Sequence, residues 1–332
     1  MQVSLFTNLL RTEFLNSMQV VAKPAEYERY TTTVPTTTRN TPFGWMTPAP
    51  GINKYEGHRR LATLDSINYS IDAIEFDGSF QVPLIDIEDD NVGGYRRRMR
   101  DLVMKAGQPF KSRWVMTTVK NGESTPCFDG SNFFATTHNV GGWGSTPAQF
   151  VSGTSGANLM NFTAAASSDG TNHVMVWFIH EDEIMLKPMV YVSRQEPQFR
   201  TDAGDSLSSY TKTVKYWLDL RAGFGVGYWW DAILVKIAGT PTIPEMQLII
   251  DGMRQVARGF YLPKALSSDP TEYVHEQRSF GPSNTSLLSS SGLEWILTHV
   301  LNEERIGISS NTFTNNIYRG FSHLIVSNIL NP

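Results

Sequence analysis

The feature that most constrains this chain is a long run of helical periodicity placed after a run that cannot be helical. Between residues 91 and 120, Tyr95, Met99, Leu102, Val103, Ala106, Phe110, Trp114 and Val115 recur at steps of three and four. That spacing lines one face of an α-helix, which at 1.5 Å per residue would be about 40 Å long. Gly107 and Pro109 predict a kink or break midway, because proline removes a backbone donor and clashes with the preceding turn. Upstream, residues 19–53 are rich in Thr and carry Pro24, Pro35, Pro42, Pro48 and Pro50, which stops helix and favours extended chain. Tyr27, Tyr30, Phe43 and Trp45 make this stretch too apolar for a disordered linker. It reads as an extended arm whose aromatic side chains lie along a partner.

The remaining segments fill in an α+β pattern. Leu5, Leu9, Leu10, Phe14 and Met18 sit at helical spacing, so residues 3–18 form a short amphipathic helix whose apolar face is covered by its own subunit or by a neighbour. Residues 59–87 alternate: Tyr69, Ile71 and Ala73, then Phe80, Val82 and Leu84, with Asp77-Gly78 supplying turn chemistry between them. This predicts a two-stranded β-ribbon, which needs something to pack on. Residues 141–172, rich in Gly, Ser, Thr, Ala and Asn, read as a loop-rich surface segment. Residues 173–238 read as largely β, with strands around Val174 to Phe178, Met189 to Val192 and Val214 to Leu218. Pro241 and Pro244 mark a boundary, followed by helices near 244–258 and 291–303 and a last strand at 322–327. There is no internal repeat.

Composition excludes several functions. The net charge of −4 argues against a dedicated DNA-wrapping protein. Charged residues make up only 18%, below the usual quarter, which suits a surface largely covered by neighbouring subunits. A single cysteine, Cys127, excludes an intrachain disulfide and a cysteine-based zinc site and reads as a buried small residue in a reducing compartment. No stretch approaches the roughly 20 apolar residues of a membrane span, and the N-terminus lacks the pattern of a signal peptide.

Motifs for chemistry are weak. Asp86, Glu88 and Asp90 have the first spacings of a calcium loop, but Asn91 and Arg97 stand where glycine and glutamate are required. Carboxylates at the N-terminus of a helix explain them better. Gly223, Gly225 and Gly227 are spaced GxGxG with no helix following, and Tyr228, Trp229 and Trp230 argue for strand rather than a dinucleotide loop. No HExxH and no GxSxG occurs. His138 and His180, near acids, read as structural. No catalytic, cofactor or metal residue is assigned.

A resemblance organises these pieces. Val34-Pro35-Thr36-Thr37-Thr38-Arg39, Gly44-Trp45, Ile87-Glu88-Asp89-Asp90, Gly94-Tyr95, Asn121-Gly122 and Cys127-Phe128-Asp129-Gly130-Ser131-Asn132-Phe133-Phe134 follow one another in an order that resembles the major head (capsid) subunits of Mu-like phages and prophages. Downstream, Trp177, Leu186-Lys187-Pro188, Glu196-Pro197-Gln198-Phe199, Arg221-Ala222-Gly223 and Gly227-Tyr228-Trp229-Trp230 extend it. So do Leu293-Glu294-Trp295, Asn315, Tyr318-Arg319-Gly320 and Leu324-Ile325-Val326-Ser327. Single motifs are common anywhere; their shared order is specific. The resemblance implies the Hong Kong 97-type capsid fold. Its divisions here are an N-terminal helix and arm at 1–53, an E-loop ribbon at 54–90, a peripheral domain with its spine helix at 91–238, and an axial domain at 239–332. The axial-like segment follows the Trp177-to-Trp230 strands, a permuted order relative to the family.

That resemblance implies a major capsid protein, not an enzyme, that self-assembles through hexamers and pentamers into an icosahedral shell around double-stranded DNA. It is expected in the virion, assembled in the host cytoplasm. Without a long charged N-terminal extension, a separate scaffolding protein is implied, with a portal and a possible cement protein, and only weak non-specific contact with packaged DNA. Some relatives weld their shells with a lysine on the E-loop; this chain has no lysine between Tyr55 and Met104, so its shell must rely on non-covalent contacts. Candidate intersubunit contacts are the arm aromatics Phe43 and Trp45, and Arg96, Arg97, Arg98 and Arg100 pairing with a neighbour's Asp72, Glu75 and Asp77. A solvated face is the plainer reading of the arginines. The other readings are a β-rich carbohydrate-binding or glycoside-processing protein, suggested by eight tryptophans and paired acids, and a tail or decoration protein of a virion.

Overall fold

Two β-sheets, each covered by helices, organise the chain. The computed structural model describes residues 3–21, 25–43, 69–89, 93–141, 150–165, 170–180, 186–203, 212–259, 280–309 and 312–331. The first sheet has the order β1-β9-β10-β4. Its backbone is a long hairpin of β9 (Met189–Thr201) and β10 (Thr213–Val226), paired antiparallel with irregularities near Arg221. On one side β4 (Ile74–Pro83) pairs antiparallel with β10; on the other β1 (Thr31–Pro35) runs parallel to β9.

Helix α1 (Val3–Val21), the short α2 (Leu84–Glu88) and α3 (Gly93–Ala106) cover one face of this sheet. Phe6, Leu10 and Phe14 recur at i, i+4, i+8 on α1. They share a core cluster with Met99 and Val103 of α3 and with Val214, Tyr216 and Leu218 at period two on β10. Burial of such side chains contributes roughly 1.5–3 kcal/mol each.

Helix α3 ends at Ala106, and α4 (Gln108–Lys120) begins past Gly107 with Pro109 in its first turn. The break therefore falls where Gly107 and Pro109 predict it. Proline is tolerated there because first-turn N–H groups have no partner within the helix. Val115, Met116 and Val119 of α4 enter a second core with Tyr30, Val176, Phe178, Val190 and Val192.

The second sheet has the order β15-β12-β8-β11-β7. It comprises β7 (Leu159–Thr163), β8 (Asn172–Ile179), β11 (Ala232–Ala238), β12 (Thr285–Ser289) and β15 (His323–Val326). Met175, Trp177 and Ile179 of β8 face a third core built with α5 (Ile243–Gly259) and α6 (Glu294–Asn302), while Val176 and Phe178 face the second. Both faces of β8 are covered from Met175 on, and residues 174–179 are continuously apolar. Short antiparallel ribbons join β2 (Asn40–Pro42) to β3 (Ser70–Asp72), β5 (His138–Gly141) to β6 (Phe150–Gly156), and β13 (Arg305–Ser309) to β14 (Thr312–Asn315).

Four expectations are corrected. Asp77-Gly78 forms no turn: both lie mid-strand in β4, opposite Asp219 and Leu218. A Cβ on Gly78 would sit 2.8 Å from Leu102 Cδ1, so the glycine lets α3 approach the sheet. The ribbon base is instead the β2–β3 pair. The arm does not wait for a partner as far as residue 43: Tyr27, Tyr30 and Phe43 are buried in the chain's own second core and β1 is a strand of its first sheet. Residues 141–172 contain β6 and β7 rather than loops alone, and β7 is stitched in parallel to β11. The boundary at residue 238 does not separate layers, because the second sheet takes β7, β8 and β11 from before it and β12 and β15 from after it.

Candidate assembly surfaces

The residues expected to make intersubunit contacts fall into three environments. The first is the seam between α1 and α3. Glu13, only 5% exposed, accepts from Arg96 Nη2 at 3.0 Å and from Arg100 Nε at 2.8 Å. Burial pushes the Glu13 carboxyl up, but hydrogen bonds and charge from Arg100 and Arg96 outweigh it and hold the group below its ordinary value. Arg96 and Arg100 are thus committed within their own chain. Arg98 lies over the Tyr95 ring at 5.3 Å, whose hydroxyl donates to Asp86. Arg97 is exposed and, among the described residues, in no ion pair.

The second environment is the face of the first sheet away from α1. Glu75, Asp77, Ser79, Gln81, Lys215 and Trp217 line a shallow hollow there. Glu75 pairs with Arg221 at 3.1 Å and Asp219 with Arg200 at 3.0 Å. Asp72, at the ribbon base, accepts from Asn40 Nδ2 at 2.8 Å. The structure therefore brings none of the four arginines against Asp72, Glu75 or Asp77 within one chain. Asp86 and Glu88 lie in helix α2 and not in a calcium loop.

The third environment is the interior. Phe43 is fully buried, 6.2 Å from the Tyr69 ring, and offers a neighbour no surface; Trp45 lies outside the described residues. The glycine triplet is a packing device. A Cβ on Gly223 would meet Asp72 O at 2.7 Å, and one on Gly225 would meet Ile71 Cδ1 at 2.4 Å, so glycine lets β3 cross β10 closely.

Sequence reasoning missed a polar knot in the core. His138 Nδ1 is 2.7 Å from Asp129 Oδ2 and Nε2 is 3.0 Å from Asn158 Oδ1. The Asn158 amide is oriented by donating to Phe133 O and Trp229 O and accepting from Ala135 N, so each ring nitrogen faces an oxygen. The imidazole stacks on Trp229 at 4.0 Å and 4°. The knot ties the 122–138 loop to β7 and to the bend between β10 and β11. The one signal for it was His138 following the Asp129 motif. Glu13 had a clearer signal, a lone acid among the apolar positions of α1. Burial raises the Cys127 thiol, as does the charge of Asp129, leaving it unreactive. Trp177 and Trp229 are core residues, unsuited to a glycan platform.

Comparison with known proteins agrees with this architecture. The family model described as Mu-like prophage major head subunit gpT matches residues 3–256. The Mu-like prophage FluMu major head subunit of Haemophilus influenzae is 32% identical over 253 residues, 76% of this chain and 78% of that protein. The major capsid protein of Escherichia phage Mu is 25% identical over 314 residues, 92% of each chain. A chain from the procapsid of bacteriophage JBD30 superposes with a TM-score of 0.71 at 23% identity, over 99% of this chain and 100% of that one. One from the JBD30 capsid gives 0.66 at 18%, over 94% and 93%.

The α+β fold, with its helix-covered sheets and an N-terminal strand built into the first, is that of a phage capsid subunit. The chain belongs to the Mu-like prophage major head subunit family, and its role is that of a major capsid protein.

Proposed function

We propose that copies of this chain join as hexamers and pentamers and close into an icosahedral shell around double-stranded DNA, with no catalytic turnover. The observation that carries this is a match to a procapsid subunit along essentially the whole chain. The second sheet with α5 and α6 is the axial part, and the first sheet with α3 and α4 the peripheral part. The β2–β3 pair is the base of the E-loop ribbon; Trp45 lies outside the described residues. Glu75, Asp77 and Arg97 are exposed and available to neighbouring copies; shell cohesion comes from many weak copies of such contacts. A JBD30 capsid decorated with minor capsid protein trimers supports a cement-type partner here, and the JBD30 procapsid supports a precursor shell, for which a separate scaffolding protein is proposed. A portal completes the set.

Negative-stain electron microscopy of the protein, alone and co-expressed with a candidate scaffold, tests the reading. Closed shells, or free hexamers and pentamers, are expected. A strictly monomeric product in both samples would sink the proposal.

A further inference from the structure

The β2–β3 ribbon is held to itself by three residue pairs, Asn40 with Asp72, Thr41 with Ile71 and Pro42 with Ser70. A single residue, Ala73, separates β3 from the edge strand β4. A two-stranded ribbon this short has little stability of its own, so contacts with the rest of the subunit must fix its direction.

Strand β4 pairs with β10 as far as Ile74 opposite Ala222. Antiparallel partners step in opposite directions, so the same register carried on would set Asp72 opposite Phe224 and Ser70 opposite Val226. The chain does not take that path. It leaves the ladder at the buried Ala73, whose N–H donates to Arg39 O at 2.8 Å, and crosses the face of β10 instead. Gly223 lies under Asp72 O and Gly225 under Ile71, each too close for a Cβ. Tyr69 closes the crossing. Its hydroxyl donates to Val226 O at 3.0 Å and accepts from Val226 N at 3.2 Å. One side chain thus takes both backbone groups of the residue that an in-plane Ser70 would have faced, and such groups need a partner. Phe43 N–H donates to Tyr69 O at 2.7 Å, so both strands of the ribbon are tied to this one clasp.

We propose that Tyr69, with Ile71 seated over Gly225, is the positioning residue that sets the bearing of the E-loop ribbon on its subunit, and through it the angle between neighbouring copies in a shell. The second half rests on the capsid reading; the first stands on the subunit alone. A repeated interface closes only if its rotation is right, and one that does not close gives open or helical assemblies. A small error of bearing, present in every copy, is therefore enough to lose closure.

The test measures the bearing directly. Cys127 is buried, so spin labels can be directed to Pro42→Cys on the ribbon and Arg113→Cys on α4, both exposed positions. Electron–electron double resonance on the full-length subunit should give one narrow distance distribution. Tyr69→Phe keeps the ring and removes the hydroxyl; Gly225→Ala drives a methyl against Ile71. Each should shift or broaden the distance while circular dichroism still shows cooperative melting. Without labels, each should lose closed shells in electron microscopy in favour of open sheets or tubes. Gly225→Ala combined with Ile71→Ala removes the clash and should restore the parent distance and closed shells, which a plain loss of stability would not allow. A distance unmoved by both Tyr69→Phe and Gly225→Ala would overturn the proposal, whatever happens to the melting temperature. A distance that moves while shells still close would overturn the role in assembly and leave the capsid assignment standing. If the parent protein makes no shells, the capsid reading fails and the distance alone decides the clasp.

Discussion

Glu13 and His138 show two ways in which a polar side chain is held inside this molecule. Glu13 is buried, but its partners Arg96 and Arg100 are half exposed, so water still solvates the cations and the clamp is worth only about 1 kcal/mol. Its carboxyl is held below the ordinary value of 4.5. The clamp's stabilisation is therefore fully present above that value and disappears as pH falls through the lower, folded-state value. Glu13→Gln should lower the urea midpoint at neutral pH, and the gap from the parent protein should close at the acid end of the same titration. A gap independent of pH would show that the charge plays no part. His138 is different because the Asp129 side chain it meets is fully buried. His138→Ala strips that carboxylate of its side-chain partner and the Trp229 ring of its stack, and should cost about 3 kcal/mol or more. Thermal unfolding reads this directly; a loss below about 1 kcal/mol would mean the knot holds nothing. Each residue left a signal in the sequence but its partners did not, because a hydrogen-bonded partner far along the chain leaves no periodic mark.

At the scale of elements, periodicity predicted the helices well, left open what covers α1, and assigned the arm's aromatics to a partner. Helix α1, the break at Gly107, α5, α6 and the strands from residue 172 to 238 stand where apolar spacing predicts them. Of the arm predicted at residues 19–53, the strands Thr31–Pro35 and Asn40–Pro42 are extended as proline and threonine favour, whereas residues 19–21 still belong to α1 and Glu26–Arg29 form a 3-10 turn. The arm's destination was not legible, because an aromatic side chain looks the same whether it is buried by its own subunit or by a neighbour. Asp77-Gly78 was misread for a related reason: glycine at a tight turn and glycine under a crossing helix are chemically one residue. The N-terminal segment is therefore part of the subunit's own core. Deleting residues 1–50 removes Phe6, Leu10 and Phe14, roughly 5–9 kcal/mol of burial in all, comparable with the whole stability of a domain. The truncated protein should be insoluble or unfolded by circular dichroism. A soluble, cooperatively folding fragment that merely fails to form shells would restore the arm as a dispensable tether.

At the scale of the whole molecule, the proposal that the shell is held by non-covalent contacts has a direct test. With no lysine between Tyr55 and Met104, purified particles should run in denaturing electrophoresis as one band of 37.2 kDa; a ladder of larger species would reveal a covalent weld elsewhere. The division of the chain at Pro241 followed a real change in sequence character but not a boundary in space, since the second sheet is assembled across it. Sequence alone determined the α+β class, the helices and their break, the places of several strands and, through the order of its motifs, the family. Those are local or linear properties, written in spacing and succession. Only the tertiary structure decided that the arm belongs to the subunit's core, that Arg96 and Arg100 are taken by Glu13, and that the glycines pass one element beneath another. Each of these depends on which distant segments share a volume, and apolar burial and hydrogen bonding settle that across the chain rather than along it.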